Sequence, residues 1–150
     1  MRVVLQRVLT ASVSIDGALH AAIDAGFLLL LGIEHEDTVE DAEWLCKKIS
    51  AMRVFSDEDG LMNQSIQNTQ GSILVISQFT LFASTKKGNR PSFIRAARPE
   101  VAVPLYETFV QYLATESSRP VYTGVFGADM QVSLVNDGPV TILMDSKARA

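Results

Sequence analysis

The chain has 150 residues and a formal net charge of −4, with 47% hydrophobic and 20% charged residues. This composition excludes a disordered chain, and the length fits one domain spanning residues 1–150. A single cysteine, Cys46, excludes an intrachain disulfide and a multi-cysteine metal site. We expect a cytoplasmic protein without membrane attachment, because no signal-peptide pattern opens the chain and the longest apolar run, Phe27–Ile33, is much shorter than the ~20 residues of a membrane span.

The first part of the sequence predicts strands. Met1–Val8 opens the fold, and Ala11–Ile15 alternates apolar with small or polar residues. The Asp16-Gly17 pair that follows is a hairpin signal, which predicts that Ala18–Ile23 returns antiparallel. Phe27–Ile33 is continuously apolar, as is typical of a strand buried on both faces.

A helix is predicted next, from Val39 to Met52. Thr38 and Asp41 form a capping-box pattern at its start. Apolar residues then recur at helical spacing and define one buried stripe. Cys46 lies on that stripe, and we interpret it as a small core residue rather than a nucleophile.

The middle of the chain predicts a short strand at Arg53–Phe55, a polar loop at Asn63–Gly71 and a strong strand at Ser72–Phe82. In that strand Gln78 and Thr80 share one face near the end. Phe79 is either a core residue or a stacking surface, and its position on the opposite face favours the core.

The remainder predicts a second helix, Val101–Thr115, starting near Val103 because Pro104 fits only a first helical turn. Its buried ridge is expected to contain Val101, Leu105, Phe109 and Leu113. Strands follow at Val121–Phe126, Met130–Val135 and Val140–Met144, with a turn at Asn136–Pro139. Together the elements predict an α+β fold, a mainly antiparallel sheet or barrel covered by two helices.

One segment of this acidic chain is basic. No acidic residue occurs between Asp59 and Glu100, and the interval contains Lys86, Lys87, Arg90, Arg95 and Arg98. The segment is either a solvated loop or a place where a polyanion meets the protein.

Familiar catalytic and cofactor motifs are scarce. The two histidines, His20 and His35, do not fall in metal-ligand patterns, and the sequence contains no nucleophile elbow or glycine-rich phosphate loop. We therefore expect neither a metal nor another cofactor.

Two segments stand out: Ser77-Gln78-Phe79-Thr80-Leu81-Phe82-Ala83 and Asn136-Asp137-Gly138-Pro139-Val140-Thr141. Together with the opening Arg2–Val8 stretch and the Gly88–Phe93 loop, in the same order, they resemble the signature motifs of the D-aminoacyl-tRNA deacylase family. The resemblance covers Met1 to about Asp145 and is specific because four motifs occur in sequence.

The resemblance implies a flattened β-barrel that works as a homodimer. It implies hydrolysis of the ester joining a D-amino acid, and also mischarged glycine, to the terminal adenosine of tRNA. A cis Gly138-Pro139 peptide is expected to reach into the partner's pocket, where rigid carbonyls capture the substrate ammonium and block an L side chain. Asn136 and Thr141 are expected to support this turn. The residues alone favour a plain tight hairpin turn instead.

Catalysis is expected from residues 77–80. Thr80 carries a hydroxyl but lacks a base, which makes it a poor nucleophile. The resemblance implies that the 2′-hydroxyl of the tRNA supplies the chemistry. Backbone N–H groups of Phe79 and Thr80 would bind the oxyanion, Gln78 would hold the adenosine or amino acid, and Ser77 belongs to the same motif.

The basic segment then gains a role, because Lys86, Lys87 and Arg90 follow the catalytic motif and could bind acceptor-stem phosphates. Two alternatives remain open: a non-catalytic RNA-binding or dimerisation module, and a threonine hydrolase acting on small esters.

Overall fold

The computed structural model describes residues 1–150, and its main sheet is organised around the first strand, β1 (Arg2–Ile15). On one side, β1 pairs antiparallel with β8 (Met130–Asp145) from end to end. On the other side, it pairs antiparallel with β3 (Gly26–Gly32) through its first half and with β2 (Ala18–Ile23) through its second half. The hairpin predicted at Asp16-Gly17 is confirmed.

The sheet continues beyond β3 through parallel pairs. β3 pairs parallel with β6 (Ser72–Ser77), which pairs parallel with β7 (Val121–Thr123). The α+β class is confirmed, but the sheet is mixed. The predicted strands 1–8 and 11–15 form one strand, β1, and the predicted strands 130–135 and 140–144 both lie in β8. The pairing of β1 with β8 shifts register around Val8, between the halves that were predicted as separate strands.

Two helices cover one face of this sheet. α1 (Val39–Ala51) begins with the predicted capping box, in which Thr38 N–H donates to the Asp41 carboxylate at 2.9 Å. α2 (Pro99–Ser117) is longer than predicted. Pro99 occupies the first helical turn, where a missing N–H costs nothing, and Pro104 lies inside the helix on its exposed side.

The buried ridge of α2 is also shifted from the prediction. Val101 is 38% exposed and Leu105 is half-buried. Phe109 and Leu113 are deeply buried as predicted, and the other buried residues of the helix are Ala102, Tyr106 and Ser117. Tyr106 Oη donates to the Val75 carbonyl at 3.0 Å, which ties α2 to β6.

The two faces of β3 and β6 serve two separate cores. Phe27, Leu29 and Val75 pack toward the helices, whereas Leu28 and Leu74 pack inside the curved sheet against Val8, Val13 and Ile23. The sheet therefore folds over itself into a nearly closed, flattened barrel. The prediction that Phe27–Ile33 is buried on both faces is confirmed.

The segment between α1 and β6 differs most from the sequence prediction. The short strand is β4 (Phe55–Ser56), and it pairs with β5 (Met62–Gln64), which falls where a polar loop was expected.

Cys46 is fully buried as predicted; its Sγ donates to the Phe109 carbonyl at 3.5 Å, and burial raises the pKa of its thiol. Neither helix is long and apolar enough to cross a bilayer.

Candidate active site

The motif that follows β6 forms a short turn rather than the end of a strand. β6 stops at Ser77, and residues Phe79–Phe82 form one turn of 3-10 helix. Gln78 N–H still donates to the Leu31 carbonyl at 2.7 Å, and the chain then turns away from β3. The prediction of a strand to Phe82, with Gln78 and Thr80 on one face, is wrong for this reason.

The turn also places Phe79 outward. Its side chain is 56% exposed, so the predicted core position is wrong. Its ring contacts Phe93 edge to face, with ring centroids 5.2 Å apart and an interplanar angle of 80°. An exposed aromatic pair of this kind indicates a candidate binding surface.

A cavity of about 280 Å³ adjoins the turn. Ser77, Gln78 and Phe79 line it on one side. The other walls are mostly apolar and come from β3, α2, β8 and the loop before β8; they include Leu31, Ala102, Phe126, Met130 and Val132. An apolar cavity with a few polar groups at one wall is the usual form of a small-molecule site.

Thr80 has no base beside it. Its Oγ1 accepts a hydrogen bond from the Gln78 side-chain amide. An amide N–H is a donor and cannot take up the hydroxyl proton. His20 and His35, the two histidines, are exposed in β2 and in the loop before α1. The hydroxyl therefore lacks the activation that a side-chain nucleophile needs.

The amino end of the turn offers backbone donors. The hydrogen bonds of the turn begin with Leu81 N–H donating to the Gln78 carbonyl at 3.3 Å. The N–H groups of Phe79 and Thr80 come before it, where helical turns leave N–H groups without internal acceptors. Two such donors beside a cavity suit an oxyanion.

Three residues outside the motif hold the turn in place. Gly32 lets it approach β3, because a Cβ on Gly32 would lie 3.0 Å from the Gln78 carbonyl oxygen. Arg2 donates to the Leu81 carbonyl at 2.9 Å, and its guanidinium lies 4.6 Å from the centre of the Phe82 ring. Arg95 lies 5.4 Å from the same ring centre.

The second motif lies within β8. The Gly138-Pro139 peptide is cis, as the resemblance implies, and both residues are exposed. Asn136 closes the turn: its Oδ1 accepts from Val140 N–H at 3.3 Å and its Nδ2 donates to Thr141 Oγ1 at 3.0 Å.

Arg7 anchors this turn from β1. Its Nε donates to the Asp137 carbonyl at 3.2 Å, and an η nitrogen donates to the Val54 carbonyl at 2.6 Å. A Cβ on Gly138 would lie 3.0 Å from an Arg7 η nitrogen. Gly138 also has a φ of +121°, a backbone conformation that residues with a side chain rarely adopt. Glycine is therefore required for the close approach of the turn to Arg7.

The two motifs are not brought together in one chain. None of residues 136–141 lines the cavity next to Ser77, Gln78 and Phe79. Instead, the Gly138-Pro139 turn faces solvent on the strand at the free edge of the sheet.

The basic loop is held by a bridge at its base. Ser84 and Ser92 exchange two backbone hydrogen bonds, of 2.7 and 2.9 Å. Lys86, Lys87 and Arg90 lie between them, exposed and without a salt-bridge partner. Arg95, by contrast, pairs with Glu34 at 2.9 Å.

Sequence reasoning missed the supporting roles of Arg2, Arg7, Gly32 and Phe93. Arg2, Arg7 and Phe93 belonged to stretches that carried the family resemblance, but their partners are remote in sequence. Gly32 lies in an apolar run, and its role depends on how closely the turn at residues 79–82 approaches β3, which no local pattern indicates.

Comparison with known proteins agrees with these motifs. The family model described as "D-Tyr-tRNA(Tyr) deacylase" matches residues 4–145. A protein of Phocaeicola vulgatus named D-aminoacyl-tRNA deacylase is 63% identical over 147 residues, which cover 98% of each chain. A protein of Akkermansia muciniphila with the same name is 61% identical over 149 residues, or 99% of each chain.

Solved structures share the fold. One described as "c-Myc DNA Unwinding Element Binding Protein" has a TM-score of 0.89 and 42% identity, covering 97% of this chain and 98% of its own. Another, described as a probable eukaryotic D-amino acid tRNA deacylase, has a TM-score of 0.81 at 16% identity, covering 95% of this chain and 97% of its own.

Proposed function

The chain belongs to the D-Tyr-tRNA(Tyr) deacylase family, and from this premise we propose how its residues perform that family's reaction. It hydrolyses the ester bond of D-aminoacyl-tRNA, releasing the free D-amino acid and tRNA. One observation carries the mechanism: the turn at residues 79–82 presents two backbone N–H donors beside a cavity, while its only hydroxyl lacks a base.

The cavity holds the end of the substrate. Its apolar walls suit the adenine ring of the terminal nucleotide, and Gln78 offers an amide that hydrogen-bonds to the ribose or the amino acid. The ester carbonyl then lies at the amino end of the turn. There the N–H groups of Phe79 and Thr80 stabilise the negative charge that develops on the carbonyl oxygen, each contributing ~3–4 kcal/mol.

Water is the nucleophile in this scheme. The neighbouring 2′-hydroxyl of the ribose positions it, water adds to the ester carbonyl carbon, and the bond from that carbon to the ribose 3′ oxygen breaks. The proton lost by water passes to the departing 3′ oxygen. Because an aminoacyl ester is already reactive, positioning and oxyanion binding are sufficient.

Stereochemical selection requires a second copy of the chain. We infer a homodimer in which the Gly138-Pro139 turn of one protomer enters the cavity region of its partner. The turn is exposed and none of its residues lines the cavity of its own chain, which supports the inference. Its carbonyl oxygens bind the substrate ammonium and leave no room for an L side chain, whereas glycine, which has none, is also accepted.

The basic loop binds the tRNA body. Lys86, Lys87 and Arg90 meet the acceptor-stem phosphates, a contact that is independent of sequence and suits an enzyme acting on many tRNAs. This substrate sets the protein's place of action in the cytoplasm.

A comparison of three substrates tests the function. D-tyrosyl-tRNA, L-tyrosyl-tRNA and a D-tyrosine ester without RNA are offered to the purified protein. Release from the D-tRNA alone is expected. Release from all three would favour a small-ester hydrolase, and release from none would refute the assignment.

A mixing experiment tests the shared site. One variant carries Gly138→Val in the turn and the other carries Gln78→Ala at the cavity. Each is expected to be weakly active alone, and refolding an equal mixture should restore hydrolysis because some dimers contain one intact composite site. Mixtures no more active than the average of the two variants would exclude the composite site.

A second candidate is non-catalytic nucleic-acid binding. The solved relative at 42% identity is described as a DNA-unwinding-element binding protein, and the exposed basic loop fits a nucleic-acid surface. Binding of uncharged tRNA without any deacylation would favour this candidate.

A further inference from the structure

An exposed aromatic pair lies between the cavity and the basic loop. Phe79 lines the cavity, and Phe93, next to it, does not. The two rings are 56% and 37% exposed, although each already contacts the other. Large aromatic side chains left this open at the rim of a cavity are candidates for stacking with a ligand.

The surroundings of the pair are cationic. Phe93 directly follows the Ser84–Ser92 bridge that closes the base of the basic loop. Lys86, Lys87 and Arg90 extend from that base without acidic partners. Contacts therefore connect the cavity to Phe79, Phe79 to Phe93, and Phe93 through the chain to the loop that carries the three cations.

This order matches the order of groups in a single-stranded nucleic acid. Proteins bind such strands with aromatic rings that stack on bases and with cations that follow the phosphates. In tRNA, the nucleotide before the terminal adenosine is an unpaired cytidine. With the adenosine in the cavity, that cytidine lies one step outward, where the aromatic pair is.

We propose that Phe79 and Phe93 form a stacking subsite for the penultimate cytidine of the tRNA. Phe93 stacks on the cytosine base. Phe79, which lines the cavity, contacts both this base and the terminal adenosine. The inference rests on the proposed function, since it takes the adenosine to occupy the cavity. It assigns to Phe93 a part in substrate binding that is separate from the ester chemistry.

Two short substrates isolate this subsite. D-tyrosyl-adenosine ends at the cavity, whereas D-tyrosyl-cytidylyl-adenosine adds the cytidine. Phe93→Leu is expected to lower kcat/KM about tenfold for the dinucleotide substrate and for D-tyrosyl-tRNA, with D-tyrosyl-adenosine unchanged. Phe93→Tyr keeps a ring and should retain full activity.

Ile94→Ala is the matched control, because Ile94 is the next residue, is 85% exposed and carries no ring. It should leave all three substrates unaffected. Equal losses on the mononucleoside and dinucleotide substrates, or no loss on either with Phe93→Leu, would overturn the subsite.

A binding measurement separates this idea from the proposed function. Amide-linked, non-hydrolysable analogues of the two short substrates are titrated against unaltered protein and Phe93→Leu. Tighter binding of the dinucleotide that disappears in Phe93→Leu supports the subsite even if no ester is cleaved, in which case only the proposed function fails. Equal affinity of the two analogues for unaltered protein would overturn the subsite.

Discussion

At the scale of single residues, the proposed site uses main-chain groups more than reactive side chains. The Thr80 hydroxyl accepts a hydrogen bond from Gln78, while the Phe79 and Thr80 N–H groups lie free at the start of their turn. In the proposed mechanism, such donors are already oriented before the substrate arrives and stabilise developing charge without a reorganisation cost.

Thr80→Ala tests the role of the hydroxyl. Because the substitution keeps the backbone N–H, we expect kcat on D-tyrosyl-tRNA to stay within about threefold, against the ~10²–10⁴-fold loss typical of removing an acid–base group. Single-turnover kinetics give the comparison. A loss of the larger size would assign the chemistry to the side chain.

Gly32→Ala tests how closely the turn must approach β3. The new Cβ would lie 3.0 Å from both the Gln78 carbonyl oxygen and the Leu81 Cβ, so the turn must shift. Because contacts of 3.0 Å are relieved by a shift of a few tenths of an ångström, we expect kcat to fall severalfold, less than the ~10²-fold loss that a misplacement of 1 Å can cause.

Gly71→Ala serves as the control for Gly32→Ala, because its Cβ would be equally crowded, 3.0 Å from Thr69 Oγ1, away from the cavity. It should lower the melting temperature without a specific loss of kcat. Equal losses of kcat in Gly32→Ala and Gly71→Ala would show that the loss comes from general destabilisation of the fold and not from displacement of the turn.

At the scale of elements, β8 positions the second motif as one strand with a turn inside it. Its two halves pair with β1 on either side of the turn, and Arg7 of β1 reaches to Asp137 in between. The turn is thus fixed by two stretches of sheet and one guanidinium.

Arg7→Lys tests this anchor. A lysine keeps the charge but cannot contact the Asp137 and Val54 carbonyls together in the same geometry. We expect the preference for D- over L-tyrosyl-tRNA to fall roughly tenfold, in line with the loss of one hydrogen bond to a charged group. Retained selectivity in the ratio of kcat/KM values would mean that the strands alone hold the turn.

The sequence predicted most elements because their signals are local. The Asp16-Gly17 hairpin, the capping box at Thr38 and the apolar run at 27–33 each depend on neighbouring residues. The end of β6 was mispredicted because alternation continues to Phe82, whereas the turn after Ser77 is imposed by contacts with Gly32 and Arg2. No local pattern encodes such contacts.

At the scale of the whole molecule, ion pairs connect α1 to the segment after β8. Asp41 accepts a hydrogen bond from Ser146 Oγ at 2.6 Å and pairs with Lys147 at 3.2 Å. Burial opposes ionisation of Asp41, but the bonds from Ser146, the Thr38 N–H and Lys147 outweigh it and lower its pKa from 3.8 to about 2.

Acid should therefore weaken the fold through Asp41. Its ionised form is favoured in the folded state, so its contribution of about 2 kcal/mol is complete above about pH 5 and is lost progressively as the pH falls through 3.8 toward 2. Urea unfolding between pH 6 and 2 measures this slope. Asp41→Asn should flatten it, and an unchanged slope would assign the acid sensitivity to other carboxylates.

The charge distribution predicts a salt effect on the tRNA reaction. Replacing Lys86, Lys87 and Arg90 with Gln should reduce the slope of log KM against log salt concentration by about 2–3, because each phosphate contact contributes ~0.7–0.9. The matched control replaces the exposed Lys47, Lys48 and Arg53 with Gln, an equal change of charge elsewhere. Equal slopes for both triple variants would mean that only net charge matters.

The pairing of β1 with β8 has a consequence for biosynthesis. β1 is 14 residues long and is made early, yet one of its edges stays open until the 16 residues of β8 have left the ribosome. During translation that edge can pair with another nascent chain, which is a route to aggregation. We therefore expect refolding yield to depend on concentration more steeply than it would for a protein whose neighbouring strands are adjacent in sequence.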